Sequence, residues 1–396
     1  MRTIAFYLPQ FHPIPENDQW WGEGFTEWTN VRRARPQFDG HDQPREPGEL
    51  GHYSLTDHDV LRRQSDLARA HGVDAFCLYF YWFDGRRLLE RPVEAWRSDP
   101  ELLPYCLSWA NESWTRRWDG KSRDVLMPQS YQAGFEERLF ADLLPHLRAP
   151  HYLRQHGAPV LVVHRADQLP DPLGTTSLLR RLAEDAGVGG LHLVAAETKP
   201  GLDPRPMGFD AVVEFPPVGS NTIRNVHTAA LDGVARDFRG RLMSYEKLAR
   251  TFATRSGAPF VRYRGVTPGW DNTPRRQERA TIYVGSTPEL FGAWASRARK
   301  AEEAQRGRDG LLFVNAWNEW AEGAYLEPDT RRGLAYLEAM TAGSSVPSSA
   351  RSRSASGRRT WTRPQLYSVM LAALGSALKS ARSVVRHVER LRRGSA

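Results

Sequence analysis

Short apolar runs recur along the chain, and most of them are continuous rather than alternating with polar residues. Continuous runs are typical of parallel strands that are buried on both faces of a sheet. In chain order the runs are TIAFYLP, VDAFCLYFYWF, PYCLSW, APVLVVH, LHLVAA, AVVEF, FVRYRGV and LLFVNAW. The pattern therefore predicts eight parallel strands.

Segments with helix start and stop signals lie between several of these runs. The predicted boundary residues are Thr56 and Gly72, then Ser244, then Thr287 with Pro288 and Gly307, and finally Thr330 and Gly343. Strands that alternate with helices in this number indicate an α/β fold of the (β/α)8 TIM-barrel class. A doubly wound open sheet is the competing fold, but no glycine-rich phosphate loop follows the first run.

Polar and aromatic residues follow most of the predicted strands. In a (β/α)8 barrel the active site forms at the carboxyl ends of the strands, so these residues would converge on one rim. The predicted substrate-binding residues are Tyr7, Gln10, His12, Trp82, Asn111, Glu112, Trp270, Asp271, Asn272, Asn315, Trp317 and Asn318. His164, Glu197 and Glu214 also lie at strand exits, although a lone histidine is more often structural.

The last strand runs into NAWNEWAEG, which holds Glu319 and Glu322 three residues apart. They would point the same way if a helical turn follows the strand. Two convergent carboxyl groups are the minimum machinery for cleaving a glycoside, and neighbouring indoles would raise the pKa of one acid by desolvation. The alternative is a solvated helix face with Trp317 and Trp320 as packing residues. For Asn111 and Glu112 the alternative is a helix cap.

The formal charge of +8 is unevenly distributed over the 396 residues. From Ser345 onward eleven Lys or Arg residues accompany one acid, so this segment carries +10 and the remainder −2. A nearly neutral body gives no support for nucleic-acid binding. Cys77 and Cys106 both lie in apolar runs, which indicates buried free thiols and a reducing compartment.

Neither a metal nor a cofactor is expected. His41, His52 and His58 lack the spacing of a zinc site, and Asp57 and Asp59 fall in a predicted first helical turn, where acids are common. The sequence begins without a charged leader, and no stretch approaches eighteen uninterrupted apolar residues. We expect a cytoplasmic location.

Two further segments are distinctive. The stretch from Phe11 to Leu55 is too long for a simple connection, and its aromatic residues, with Glu23 and Glu27 among them, would either wall a sugar site or pack on themselves. The chain divides into a barrel at 1–342, a disordered Ser/Arg-rich linker at 343–363 and a basic amphipathic helix at 364–393. That helix would lie on the anionic inner face of a membrane, or dock against the barrel or another chain.

Three motifs in order carry a family resemblance: YLPQFHPIPENDQWWGEGFTEWTNV, GWDNTPRR and NAWNEWAEGAYLEPD. They resemble the WbsX-type proteins of bacterial surface-polysaccharide gene clusters, which are similar to the endo-α-mannosidases of glycoside hydrolase family 99. The likeness extends from about Ile4 to Tyr336. It implies a (β/α)8 fold and a glycan as partner, either an oligosaccharide or a polysaccharide, with a lipid-linked precursor as one form.

The resemblance also implies a retaining reaction without a covalent enzyme intermediate. Glu319 would assist the 2-hydroxyl of the substrate as an internal nucleophile, and Glu322 would act as general acid and then base. The family 99 hydrolases have His-Glu-Gly-Thr where this chain has Ala321-Glu322-Gly323-Ala324, so the pocket should differ. Two other functions stay open: a glycosyltransferase of polysaccharide assembly, and a non-catalytic glycan-binding protein.

Overall fold

The computed structural model describes residues 1–116, 121–342 and 369–370. Within them, parallel strands form a closed barrel, because β1 pairs with both the second and the last strand. The barrel strands are β1 Arg2–Tyr7, β2 Ala75–Phe83, β3 Tyr105–Trp109, β4 Ala158–Val163, β5 His192–Ala196, β6 Ala211–Val213, β7 Val261–Val266 and β8 Leu311–Val314. Each predicted run supplies one strand, and the TIM-barrel fold is confirmed.

Helices surround the barrel and also occupy the loops above it. Their bounds are α1 Pro15–Trp21, α2 Glu27–Arg32, α3 His58–Ala70, α4 Glu90–Ser98, α5 Phe135–Leu147, α6 Pro172–Asp185, α7 Tyr245–Ala253, α8 Thr273–Arg276, α9 Pro288–Arg306 and α10 Ala335–Thr341. The connection from β5 to β6 holds only a 3-10 turn, Arg205–Met207.

Short strands lie outside the barrel and pair locally or at its margin. They are Arg86–Leu88, Trp114–Arg116, Lys121–Met127, Arg154–Gln155, Arg241–Ser244, Thr281–Val284, Asn318–Glu319 and Ala324–Tyr325. Trp114–Arg116 and Lys121–Met127 form an antiparallel pair after β3, on the side of the barrel where the strands end. This pair helps to shape the cavity described below.

Two predicted helix starts are confirmed by their caps. The Ser244 hydroxyl accepts a hydrogen bond from the backbone N–H of Lys247, and the Thr287 hydroxyl accepts one from the N–H of Leu290. Each satisfies a donor that the first helical turn leaves without a partner. Gly307 follows α9 with a φ of 56°, a backbone conformation that glycine adopts at little cost.

Two other predicted starts were wrong. The cap of α3 is Asp57, not Thr56, because the Asp57 carboxylate accepts from the N–H of Asp59. The last helix begins at Ala335, not at Thr330. Before it, the Asp329 carboxylate accepts from the backbone N–H groups of Arg331 and Arg332 in a turn. Gly343, the predicted stop, lies outside the described residues.

Aromatic rings fill the upper part of the barrel interior. Phe6 contacts Tyr79, Phe215 and Phe313, with ring centroids 5.9, 5.0 and 5.6 Å away. Large buried rings contribute strongly to core stability and leave little space for water. Cys77 and Cys106 lie side by side on β2 and β3 as buried free thiols, as predicted.

The predicted linker at 343–363 lies outside the described residues, and so does the helix at 364–393 apart from Val369 and Met370. Both stay predictions. Across the part of the chain that is described, no helix has the length and apolar character needed to traverse a bilayer.

Candidate active site

The segment after β8 makes a tight turn that presents both predicted carboxylates. Glu319 caps a 3-10 turn, Trp320–Glu322, which ends at Gly323 with a φ of 60°. Both carboxylates bind one guanidinium: Arg275 Nη2 lies 3.3 Å from Glu319 Oε2, and Nη1 lies 2.7 Å from Glu322 Oε1. The two acids therefore converge as the sequence predicted.

Arg275 also binds a third carboxylate. Its Nη2 atom lies 3.2 Å from Glu27 Oε2, in the first turn of α2. We call Glu27, Glu319, Glu322 and Arg275 the carboxylate cluster. Sequence reasoning missed Arg275 and did not single out Glu27 as a contact of the pair, although both lie inside the quoted motifs. The signal that could have identified both residues in the sequence is a charged residue within a motif rich in aromatic residues.

Burial dominates the electrostatics of the cluster. It raises the pKa of Glu319 to about 8; Arg275 opposes the shift, while Glu322 and Glu27 add to it. Burial also raises the pKa of Glu322. With all three acids ionised, one guanidinium would face three negative charges in a site that disfavours charge. The pair therefore titrates as a unit and retains a proton near neutral pH.

A cavity of about 480 Å³ opens beside the cluster. This volume is in the range of small-molecule sites. Its lining includes Gln10, Asn17, Trp21, Glu112, Ser113, Trp114, Thr115, Arg165, Gln168, Asn272, Arg275, Arg276 and Glu322. Four predicted residues, Gln10, Glu112, Asn272 and Glu322, thus share one cavity. Indoles and hydrogen-bonding side chains together suit the apolar faces and the hydroxyl groups of a sugar.

Tyr7 and Trp82 do not reach this cavity. Tyr7 Oη donates to Gln64 Oε1 at 2.7 Å, and Trp82 Nε1 donates to Asp142 Oδ2 at 2.7 Å. Gln64 and Asp142 belong to α3 and α5, so both rings face the helical layer. Alternate residues of a strand point to opposite faces. Tyr81, which was not among the predicted substrate-binding residues, points inward instead and accepts from Gln10 Nε2 at 2.7 Å.

Three of the four predicted asparagines fasten strand ends to each other. Asn318 Oδ1 accepts from the N–H of Leu8 at 2.7 Å, and its Nδ2 donates to the same residue's carbonyl at 3.0 Å. Asn111 makes the matching pair of bonds with the backbone of Arg165. Asn315 Nδ2 donates to a backbone carbonyl at 2.8 Å. These amides stabilise the rim of the barrel, because their hydrogen bonds are made to backbone groups.

Asp271 anchors the long first loop. Its Oδ2 lies 2.8 Å from His41 Nε2 and 2.7 Å from Gln43 Nε2. Burial alone would raise the pKa of this carboxyl, but His41 and the nearby Arg45 hold it well below its usual range. Trp270 borders a separate cavity of about 150 Å³. The remaining predicted residues, His12 and Trp317, are fully buried.

Glu197 and Glu214 also lie away from the cavity, and both bind Arg255 after α7. The next residue, Phe215, points into the barrel, so Glu214 points out. His164 lies at the rim with its Nε2 atom 3.9 Å from Glu112 Oε2, and burial lowers its pKa.

The first loop both walls the cavity and packs on itself. Trp21 lines the cavity. Trp28 packs instead against Phe11, Tyr53 and Trp320, with centroids 4.6, 5.1 and 5.5 Å away. Each of the two roles expected for this loop therefore holds for one of its tryptophans.

A buried carboxylate supports the turn from below. Glu327 accepts from Trp320 Nε1 at 2.6 Å, from Tyr53 Oη at 2.9 Å and from Gln64 Nε2 at 2.6 Å. Burial raises its pKa to about 7, against the effect of these donors. The network ties the turn that carries Glu319 to the first loop and to α3.

A family model described as Glycosyltransferase WbsX matches residues 3–340. The chain belongs to this family. Two curated relatives named Uncharacterized protein WxcX, from two strains of Xanthomonas campestris pv. campestris, are each 48% identical over 340 residues. The match covers 85% of this chain and 48% of each relative, so this WbsX-family chain spans about half the length of the curated relatives it matches.

Two solved structures share the fold of this WbsX-family chain. A protein titled Glycoside hydrolase-like protein has a TM-score of 0.52 at 14% identity, covering 86% of this chain and 92% of its own. The GH99 endo-alpha-mannosidase from Bacteroides thetaiotaomicron has a TM-score of 0.51 at 14% identity, covering 86% and 95%. At such identity the likeness concerns the fold alone.

Proposed function

We propose that this protein is a carbohydrate-active enzyme of polysaccharide metabolism that cleaves or transglycosylates an α-linked glycan. The observation that carries the proposal is the carboxylate cluster, which lies at the carboxyl ends of the strands beside a cavity with indole walls. Family membership and the shared fold agree with it. The substrate would be an oligosaccharide or polysaccharide, and a lipid-linked form is compatible with an anchoring tail.

The proposed roles follow the resemblance. The 2-hydroxyl oxygen of the sugar attacks the anomeric carbon and gives its proton to Glu319, while Glu322 protonates the departing glycosidic oxygen. Glu322 then takes a proton from the water or acceptor hydroxyl whose oxygen bonds to the anomeric carbon. The bond between the 2-oxygen and that carbon breaks in this step, and Glu319 returns its proton to the 2-oxygen. Glu322 suits this role because its side chain is 22% exposed and lines the cavity, whereas that of Glu319 is 8% exposed.

These roles require Glu319 to be ionised when the glycan is bound. In the empty site burial favours the protonated form of Glu319, whose pKa is raised to about 8. A proton on Glu322 instead of Glu319 leaves the charge of the pair beside Arg275 unchanged. We expect that hydrogen bonding of the sugar hydroxyl to Glu319 places the proton on Glu322.

The test is mass spectrometry of α-linked oligosaccharides after incubation with the purified protein, with and without sugar nucleotides. Shortened or transferred glycans should appear without nucleotide. Glu319→Gln and Glu322→Gln should each lower turnover at least about 100-fold. Glu303→Gln, an exposed acid on α9, is the matched control and should keep full turnover. Turnover retained in both cluster variants would contradict the proposal.

A glycosyltransferase is the second candidate, and the description of the matched family favours it. Arg165 and Arg276 also line the cavity, where they would interact with an anionic donor. If glycans are extended only in the presence of a sugar nucleotide, the protein is a glycosyltransferase and the cleavage mechanism proposed for Glu319 and Glu322 is wrong. Glycan binding without any product would instead indicate a binding protein.

A further inference from the structure

The side chain of Glu27 is fully buried, although it lies in the first turn of a six-residue loop helix where a solvated acid would be ordinary. Its Oε2 atom is 3.2 Å from Arg275 Nη2 and 3.3 Å from Arg275 Nε. The nearest amide, Asn30 Nδ2, is 3.5 Å from Oε1. Burying a carboxylate is costly unless a partner compensates it, and Arg275 is that partner.

Three short elements meet at this point. The 3-10 turn carries Glu322 and is preceded by Glu319, α8 carries Arg275, and α2 carries Glu27. Glu27 therefore competes with the pair for the positive charge of Arg275. Without Glu27, more of that charge would act on the pair and would favour ionisation of both acids.

The other titratable groups that face the cluster do not replace Glu27. Tyr79 and Tyr81 on β2 approach Glu319 from the barrel wall, and burial keeps the pKa of both phenols well above the ordinary value. Neutral phenols add no charge. The charge of the cluster is set by Glu27, Arg275, Glu319 and Glu322.

We propose that Glu27 is a positioning residue that acts through Arg275 and keeps one proton on the Glu319–Glu322 pair at neutral pH. It deepens the proposed function, on which it rests for the use of that proton as the acid of glycoside cleavage. The first loop then does more than wall the cavity, because it sets the protonation state of the site.

The experiment is an infrared pH titration of the protonated carboxyl band in the full chain, which needs no substrate. Subtracting the spectra of Glu319→Gln and Glu322→Gln assigns the band to the pair and removes the contribution of Glu327. Glu27→Gln keeps the shape of the side chain and removes its charge. We expect its titration midpoint to fall by about 1 pH unit or more.

Two further variants bracket the result. Arg275→Gln leaves three acids without a cation, so its midpoint should rise. Glu23→Gln removes an exposed acid from the same loop and should leave the midpoint unchanged. An unchanged midpoint in folded Glu27→Gln would overturn the proposal. If Glu27→Gln fails to fold, the test rests on Arg275→Gln. An unchanged titration midpoint in Arg275→Gln would also overturn the proposal, because Glu27 is proposed to act through Arg275.

The titration separates this inference from the proposed function. If the titration midpoint shifts in Glu27→Gln but the protein turns over no glycan, the role of Glu27 in protonation stands and the proposed enzymatic function is wrong. Where turnover is found, the limb of the pH profile that reports the acid should move to lower pH in Glu27→Gln. A lower rate with an unmoved profile would mean that Glu27 only supports the structure.

Discussion

At the scale of single residues, the site is built from acids in unfavourable surroundings. Glu27, Glu319 and Glu327 are all buried, and one guanidinium serves the carboxylate cluster. Burial makes the neutral forms of Glu319 and Glu327 more favourable in the folded state than in the unfolded chain. A site of this kind trades some stability for a proton held at neutral pH.

The pH dependence of the free energy of unfolding should show this loss of stability. The pKa of Glu319 is 4.5 in its ordinary state and about 8 when folded, so the folded protein binds more protons between these values. The free energy of unfolding should therefore fall as the pH rises from 5 to 8. Glu319→Gln should flatten that fall by up to about 1 kcal/mol per pH unit, measured by urea denaturation. Parallel curves for this variant and Glu303→Gln would contradict the prediction.

At the scale of elements, the site depends on short pieces that could not persist alone. The helix α8 has four residues and α2 has six, and isolated helices of such length are not stable in water. They are held by the charge contacts of Arg275 and by the aromatic packing of Trp28 on Trp320. The geometry of the site thus depends on contacts between distant parts of the chain.

Gly323 is the point at which the turn is most sensitive. Its φ is 60°, and a Cβ atom there would lie 2.9 Å from Arg45 Nη1 and from Asp271 Cβ. Gly134 has a similar backbone, with φ 73° and ψ 21°, but its nearest such contact is 3.5 Å. Gly134→Ala should cost about 1 kcal/mol of unfolding free energy for the backbone alone.

Gly323→Ala should cost more than Gly134→Ala, because crowding adds to the same backbone strain. It should also lower glycan turnover, since the backbone of Asp271 binds the Glu322 carbonyl at 2.6 Å and would shift. Denaturant titration of both variants measures the difference. Equal losses of stability, with turnover intact, would show that the turn tolerates a side chain.

At the scale of the whole molecule, the formal charge is unevenly distributed. Residues 345–396 carry +10, and the rest of the chain carries −2. That segment follows the barrel residues in the sequence, so the basic character of the whole chain does not describe the site. We keep the prediction that 364–393 forms a basic amphipathic helix that binds anionic surfaces. The barrel at 1–342 should fold without it.

Removal of residues 343–396 tests both statements. The shortened chain should unfold at nearly the temperature of the full chain, because the described barrel elements all end by Thr341 and the deletion removes one described residue, Val369, that packs against the core. It should also lose sedimentation with vesicles that contain an anionic lipid, while the full chain sediments at low salt and less so at high salt. Equal sedimentation of the two chains with the vesicles would contradict the prediction that the tail binds membranes.

The sequence by itself determined the barrel and the two glutamates that face its mouth. Continuous apolar runs can be recognised locally, since a strand buried on both faces needs them whatever its neighbours are. The turn after β8 could be predicted as well, because the spacing of Glu319 and Glu322 and the glycine that follows are local features. The same holds for the caps at Ser244 and Thr287.

Only the tertiary structure decided which side chains reach the cavity. Tyr7 and Trp82 were misplaced because the face of a strand residue depends on the register at the strand end, and a shift of one position reverses it. Asn111, Asn315 and Asn318 hold the rim together, since their partners are backbone groups of distant parts of the chain. Arg275 and Glu27 meet across 248 residues of chain, and such a contact leaves no local pattern in the sequence.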